Sequence, residues 1–222
     1  GHEALLRWRN PRMGSIPTAL FIPEMEEQGL FSELLPWTFQ QATEHTTKIL
    51  SHQTPVNPLF CSINISARHL QNPRFLATAR ELMQDYRNPH LNFVLEITET
   101  SMITDSEQCR ILLEQLKDIG FKIALDDFGT GYSSLNYLRE YPVDILKLDR
   151  IFVSELPQNS RDQLIIQSTI NLAHALGMTV VAEGVEKSTQ LQALQSFNCD
   201  AFQGFLSLTL PSAVEFRIPS SE

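Results

Sequence analysis

Two aspartates stand side by side in this chain, Asp126-Asp127, directly after the apolar run Ile123-Ala124-Leu125 and just before the loop Phe128-Gly129-Thr130-Gly131-Tyr132-Ser133-Ser134-Leu135. Adjacent carboxylates at the end of a buried strand let one bridge two cations while the other serves the second ion or its waters, and nearby glycines let the chain turn sharply beside them. The plainer reading is a helix cap ahead of Ser133. It fits both residues together poorly, because Gly129 and Gly131 separate them from that helix. The chemistry such a pair suits is that of a hard divalent metal.

Further candidates end other apolar runs. Glu96, in Leu95-Glu96-Ile97-Thr98-Glu99, sits where a core residue belongs, and would serve a metal or a salt bridge to a neighbouring strand; Glu99 is expected to be more exposed and structural. Asn64, after Phe60-Cys61-Ser62-Ile63, offers a neutral oxygen that a hard cation accepts, or marks a turn. Glu183 and Glu186 lie three apart around Gly184 after Val180-Val181-Ala182, which assigns Glu183 to metal and Glu186 to bracing the loop. Lys147, in Ile145-Leu146-Lys147-Leu148-Asp149, would be poorly solvated without a carboxylate or phosphate partner. It is a candidate for aligning an attacking water or stabilising charge on a phosphoryl oxygen, with Asp149 on the same side to hold it, unless the two form a purely structural pair. Glu3 and Arg7 fall on one face if Ala4 to Trp8 is a strand, giving a carboxylate near a guanidinium that can fork onto phosphate. The same spacing is ordinary on a helix surface. The histidines show no paired ligand spacing.

These residues lie far apart in sequence, so an architecture must gather them. The runs that precede them read as buried parallel strands, and Ala201-Phe202, ending on Gln203, is one more. When consecutive strands of an α/β barrel end on one rim, the residues at their C-terminal ends converge. Gathering so many carboxylates is costly without a cation. Between the strands, helix signals alternate. Asp105 and Gln108 form a capping box, Cys109, Leu112, Leu113 and Leu116 form an apolar stripe, and Gly120 stops it. Ile165, Thr169, Leu172, Ala173 and Leu176 repeat at helical spacing before Gly177, and a helix over Gln190 to Phe197 ends on Asn198, which tolerates the left-handed conformation. Nearer the start, Pro11, Gly14, Pro17 and Pro23 mark turns ahead of a helix predicted from Pro23 or Glu24, and Gln53 to Pro58 reads as a loop.

At 222 residues and 42% apolar, the chain suits one α/β barrel domain over 1–222. Its net charge of -9 argues against gripping long nucleic acid, which needs a basic face. Three widely spaced cysteines, Cys61, Cys109 and Cys199, suggest neither a zinc site nor a disulfide scaffold, and fit a reducing, cytoplasmic setting. No run approaches the roughly 20 apolar residues of a membrane span.

Taken in order, Glu3-Ala4-Leu5, Asn64, Glu96, Asp126-Asp127-Phe128-Gly129-Thr130-Gly131, Lys147-Leu148-Asp149, Glu183-Gly184-Val185-Glu186 and Gln203-Gly204 make the chain, to about residue 206, resemble the EAL-domain family of bacterial cyclic di-GMP phosphodiesterases. The resemblance implies a modified (β/α)8 TIM-type barrel whose first strand is antiparallel. That strand carries Tyr-Gln-Pro in the family and is expected to be missing here. It also implies hydrolysis of cyclic di-GMP to linear pGpG with two magnesium or manganese ions.

Carried over by motif, Glu3, Asn64, Glu96, Asp126, Asp127 and Glu183 would hold the ions, and Lys147, Glu183, Asp126 and Asp127 would be catalytic. Leu5, Arg7 and Gln203 would contact substrate, with Asp149 and Glu186 behind them. Calcium is expected to inhibit, since it is larger and less strict in geometry. A homodimer, and linkage to sensor or cyclase domains in a longer and even membrane-anchored protein, are implied by the same resemblance. Ser207-Leu208-Thr209-Leu210 stands where the family carries Phe-Ser-Lys/Arg-Pro, which removes a basic residue near the rim. The alternative from another class is a catalytically silent cyclic di-GMP receptor that signals to a partner. An unrelated magnesium barrel acting on enols or sugar phosphates lacks support from the Asp126 to Leu135 loop.

Overall fold

Parallel strands that end on polar residues alternate with helices through most of the chain. The computed structural model describes residues 1–52, 58–102, 106–129 and 135–207. In chain order the elements begin with β1 (His2–Ala4), β2 (Trp8–Asn10), β3 (Gly14–Ile16), α1 (Thr18–Glu27), α2 (Phe31–His52), β4 (Leu59–Asn64), α3 (Ala67–Gln71), α4 (Phe75–Asp85) and β5 (Leu91–Thr98). They continue with α5 (Ser106–Ile119), β6 (Lys122–Phe128), α6 (Leu135–Glu140), β7 (Ile145–Leu148), α7 (Arg150–Ser154), α8 (Ser160–Ala175), β8 (Thr179–Ala182), α9 (Ser188–Ser196) and β9 (Ala201–Phe202). The sheet order is β1-β4-β5-β6-β7-β8-β9, and β2 and β3 form a separate pair. This is the α/β arrangement that the apolar runs predict.

The described residues divide into two compact units: Gly1–Leu95 with Ile119–Phe121, and Glu96–Asp118 with residues 122–207. In the first, β1 runs parallel to β4 with Ala4 opposite Ile63. Its core holds Phe39 against Phe93 and Phe121, with ring centroids 4.8 and 5.8 Å apart. In the second, β6, β7, β8 and β9 pair in parallel. Asp144 ties the start of that sheet: its carboxylate accepts from the Ile123 backbone N–H at 3.0 Å and meets Lys117 at 3.0 Å and Lys122 at 3.2 Å. Leu113, Leu116, Ile123, Leu125, Leu146 and Val180 are fully buried there.

Several expectations need correction. The strand predicted over Ala4 to Trp8 is two short strands with Leu5–Arg7 outside both, because β1 stops pairing at Ala4 and Trp8 turns instead to Ile16 in a hairpin. That hairpin is closed by Asn10, whose Oδ1 accepts from the N–H groups of Arg12 and Met13. Helix α1 begins at Thr18, not near Pro23, which lies inside it; the Pro17 carbonyl accepts from Leu20 and Phe21 and so opens the helix earlier. The stripe of α8 that is buried is Ile166, Ile170 and Ala173, with Leu172 half-buried, while Ile165 and Leu176 are exposed. In α5 the stripe is as predicted, fully buried at Leu113 and Leu116 and half-buried at Cys109 and Leu112. Gly120, Gly177 and Asn198 all adopt positive φ after helices, as their positions require. The Asp105 cap, the Gln53 to Asn57 loop, the Thr130 to Ser134 stretch and Leu208 to Leu210 lie outside the described residues.

Candidate functional site

Within the second unit, the strand ends build a cluster around one lysine. Lys147 lies in β7 between Leu146 and Leu148, which point to the opposite side of the strand by its period of two. Its Nζ stands 2.9 Å from Glu96 Oε2, 3.1 Å from Asp126 Oδ1 and 2.7 Å from Glu183 Oε1. Those partners come from β5, from β6 and from the residue after β8. Side-chain exposure grades from 4% for Lys147 and 2% for Glu96 to 13% for Asp126 and 21% for Glu183. Lys147 and Glu96 are thus the buried pair, and the other two acids face outward. Three carboxylates thus meet one ammonium.

Asp126 and Asp127 sit on an irregularity. The register between β6 and β7 shifts between Leu125 and Phe128, so these two residues form a bulge, and Asp127 takes φ +55°. Bulges of this kind re-aim side chains beside active sites, and a non-glycine residue at positive φ is held there by its surroundings. Partial burial, then repulsion from Asp126 and Asp149, raises the Asp127 pKa from the ordinary aspartate value, with Lys147 acting the other way and Glu99 adding to the rise. Glu99 is one residue that reading the sequence misjudged. It is 5% exposed, not solvated, and its Oε1 accepts from the Gly129 N–H at 3.3 Å. A Thr-Glu-Thr sequence past a strand end carries no signal for that contact.

The flanking residues hold the loops. Asp149 caps α7, its Oδ1 accepting from the Ile151 N–H at 2.7 Å. Glu186 meets Arg150 at 3.0 Å in a largely exposed pair, which contributes little by itself. Gln203 is exposed, and its backbone N–H donates to the Ala182 carbonyl at 2.8 Å while its carbonyl accepts from Val185 at 3.1 Å. Gly204 then passes so close to Val185 that a Cβ would overlap that residue's backbone. Gly204→Ala is therefore expected to lower unfolding free energy by about 1–3 kcal/mol, with a lowered midpoint in urea as the check.

In the first unit, Asn64 Nδ2 donates to Glu3 Oε1 at 2.9 Å, joining the ends of β1 and β4. Leu5 and Arg7 are exposed, and the Arg7 guanidinium donates to the Leu6 carbonyl at 2.8 Å. The structure thus gathers Glu96, Asp126, Lys147 and Glu183 in one unit and pairs Glu3 with Asn64 in the other.

Oxygen donors of this kind fit a hard divalent cation and would not select a soft one. Among the described residues no set of three or more His, Cys, Asp or Glu side chains is arranged to hold an ion by itself. The acids of the second unit converge on the lysine instead. Also among the described residues, no helix is long and apolar enough to cross a membrane.

The chain is 36% identical over 212 residues to the cyclic di-GMP phosphodiesterase NbdA of Pseudomonas aeruginosa, covering 95% of this chain and 27% of that protein. It is 33% identical over 215 residues to the cyclic di-GMP phosphodiesterase PdeR of Escherichia coli, covering 97% of this chain and 32% of that protein. The chain therefore spans only about a third of such curated relatives. Among solved structures, the PaMucR phosphodiesterase in its c-di-GMP complex superposes with a TM-score of 0.80 at 35% identity, over 92% of this chain and 82% of that one. The family model described as EAL domain matches residues 1–208. With that match over nearly its whole length, and with the acid and lysine positions on successive strand ends, the chain belongs to the EAL domain family.

Proposed function

We propose that this chain hydrolyses one phosphodiester of cyclic di-GMP to give linear pGpG. The observation that carries the reading is Lys147, held within 3.1 Å of Glu96, Asp126 and Glu183 at the ends of separate strands, in a chain whose relatives are named for that activity. Glu96, Asp126, Asp127 and Glu183 would hold divalent cations, magnesium or manganese, through hard oxygen donors. Glu3 and Asn64, paired within their own unit, are proposed as ligands on their motif alone. When bound, such ions would supply a water of lowered pKa and neutralise charge on the attacked phosphate.

The chain's own groups do the rest. Lys147 would orient the attacking water and donate hydrogen bonds to a phosphoryl oxygen, a role suited to a buried ammonium with three donors. Arg7, exposed in the first unit, would fork onto a substrate phosphate, with Leu5 and Gln203 as further contacts. Asp149 and Glu186 would act by seating the loops that carry Lys147 and Glu183. Linkage to further domains in the full protein, and pairing with a second copy, belong to the same proposal.

The test is direct. Purified chain incubated with cyclic di-GMP and magnesium is expected to release pGpG, followed by chromatography. Treatment with EDTA is expected to stop it, magnesium or manganese to restore it, and calcium alone to fail, since calcium is poor at the strict octahedral geometry. Binding of cyclic di-GMP without product under these conditions would replace the enzyme with a silent receptor, and full turnover in EDTA would remove metal from the mechanism.

A further inference from the structure

Lys147 engages the same carboxylates that a cation would need. One oxygen each of Glu96, Asp126 and Glu183 lies within 3.1 Å of its Nζ. The lysine is almost fully buried, so water does little to screen its charge, and its attraction for the acids and its repulsion of another cation are both strong there. A divalent ion approaching these oxygens meets a positive charge already among them. The strand geometry gives Lys147 little room to withdraw its stem, since Leu146 and Leu148 beside it are buried and β7 is paired on both edges. Only the flexible end of the side chain can move.

We propose that the Lys147 ammonium is a built-in competitor of the divalent cation, which must displace it from the Glu96, Asp126 and Glu183 oxygens and thereby releases it toward substrate. The inference rests on the proposed metal-dependent reading and adds a step to it. Lys147 compensates the acids until the ion arrives. The ion then takes over that compensation, and the ammonium becomes available to an attacking water or phosphate. Metal loading and lysine placement are in this way one event, and an ion is bound less tightly than the count of acids suggests. Without such compensation the buried Glu96 carboxylate would be strongly disfavoured in its charged form.

The experiment measures metal binding with no cyclic dinucleotide present. Manganese is titrated into chelator-treated wild-type chain and into Lys147→Met, followed by calorimetry and by loss of the free-ion electron paramagnetic resonance signal. The variant is expected to bind manganese about ten-fold or more tightly than wild type, because a neighbouring positive charge has gone. Equal or weaker binding by the variant overturns the proposal. Should Lys147→Met fail to fold, Lys147→Gln carries the same comparison with a polar, neutral side chain.

A wild-type readout covers both cases. The Lys147 ammonium, buried and hydrogen-bonded, is expected to give a slowly exchanging 15Nζ resonance, assigned by its absence from Lys147→Arg. Its position is expected to shift on saturation with magnesium, and an unchanged resonance overturns the proposal. These outcomes are separate from activity. A chain that releases no pGpG but shows the tighter-binding variant keeps this inference and loses the enzyme, whereas an active chain with unchanged affinity does the reverse.

Discussion

Glu96→Gln is expected to lower pGpG release by about 10³-fold while leaving the fold intact. Glu96 is the deepest acid of the cluster, on β5 between the buried Leu95 and Ile97, and its carboxylate meets Lys147 at 2.9 Å. Glutamine keeps its shape and a hydrogen-bonding oxygen but removes the charge. For the cation, that is the loss of a hard anionic ligand. Stabilisation of this kind is worth several kcal/mol in the transition state, and about 4 kcal/mol corresponds to about 10³ in rate. For the folded chain the sign differs. Three carboxylates share one ammonium, so removing one charge leaves Lys147 still paired with Asp126 and Glu183 and reduces the repulsion among the acids. Stability of the chelator-treated protein is therefore expected to stay within about 1 kcal/mol of wild type. Product chromatography and urea unfolding, run on the same preparation, check both halves. A rate within tenfold of wild type would take Glu96 out of the metal shell, and a collapse of stability would mean that Glu96 serves as a structural partner of Lys147 alone.

Much of this cluster is legible in the sequence because parallel strands buried on both faces are nearly continuous apolar runs, and a charged residue inside one stands out. Glu96 and Lys147 are conspicuous for that reason, and Asp126 and Glu183 for ending their runs. Helix ends are equally plain, since Gly120, Gly177 and Asn198 supply the left-handed residue that a helix end requires. Contacts that depend on chain geometry are not legible. Nothing in the pair Asp126-Asp127 says that a bulge will lift Asp127 to φ +55°. Glu99 looks like a solvated residue past a strand, yet it is buried on the Gly129 N–H. The early strand is misjudged because Glu3 to Trp8 alternates well enough for one strand, whereas the Asn10 turn recruits Trp8 into a hairpin. In α8, Leu164, Ile165 and Ile166 are consecutive apolar residues, so more than one stripe satisfies helical spacing and only packing selects Ile166. The number of acids on Lys147 is likewise a property of strand register, not of any one motif.

Gln190 illustrates the same limit and carries the second large effect. In sequence it is a polar residue near the start of a helix, Ser188–Ser196, where solvent exposure would be the ordinary expectation. It is 2% exposed. Its Oε1 accepts from the N–H groups of Glu186 and Lys187, both at 2.8 Å, and its Nε2 donates to the carbonyls of Val153 at 3.1 Å and Ser154 at 3.4 Å. One amide therefore satisfies the backbone that follows Glu183 and the last turn of α7. Alanine would leave these groups without their partner at a buried position, and each buried unsatisfied group costs about 1–3 kcal/mol. Gln190→Ala is expected to destabilise the chain by about 2–4 kcal/mol, with partial relaxation keeping the loss below the sum. Urea unfolding reads the loss. Amide exchange at Glu186 and Lys187 is expected to accelerate by more than the global change accounts for, because those two N–H groups lose their acceptor directly. Since the same segment carries Glu183 to its place 2.7 Å from Lys147, pGpG release is expected to fall as well, even well below the unfolding transition. A variant that unfolds within about 1 kcal/mol of wild type, with unchanged exchange at both amides, would show that water can take the place of Gln190 and that the Glu183 loop holds its position without it.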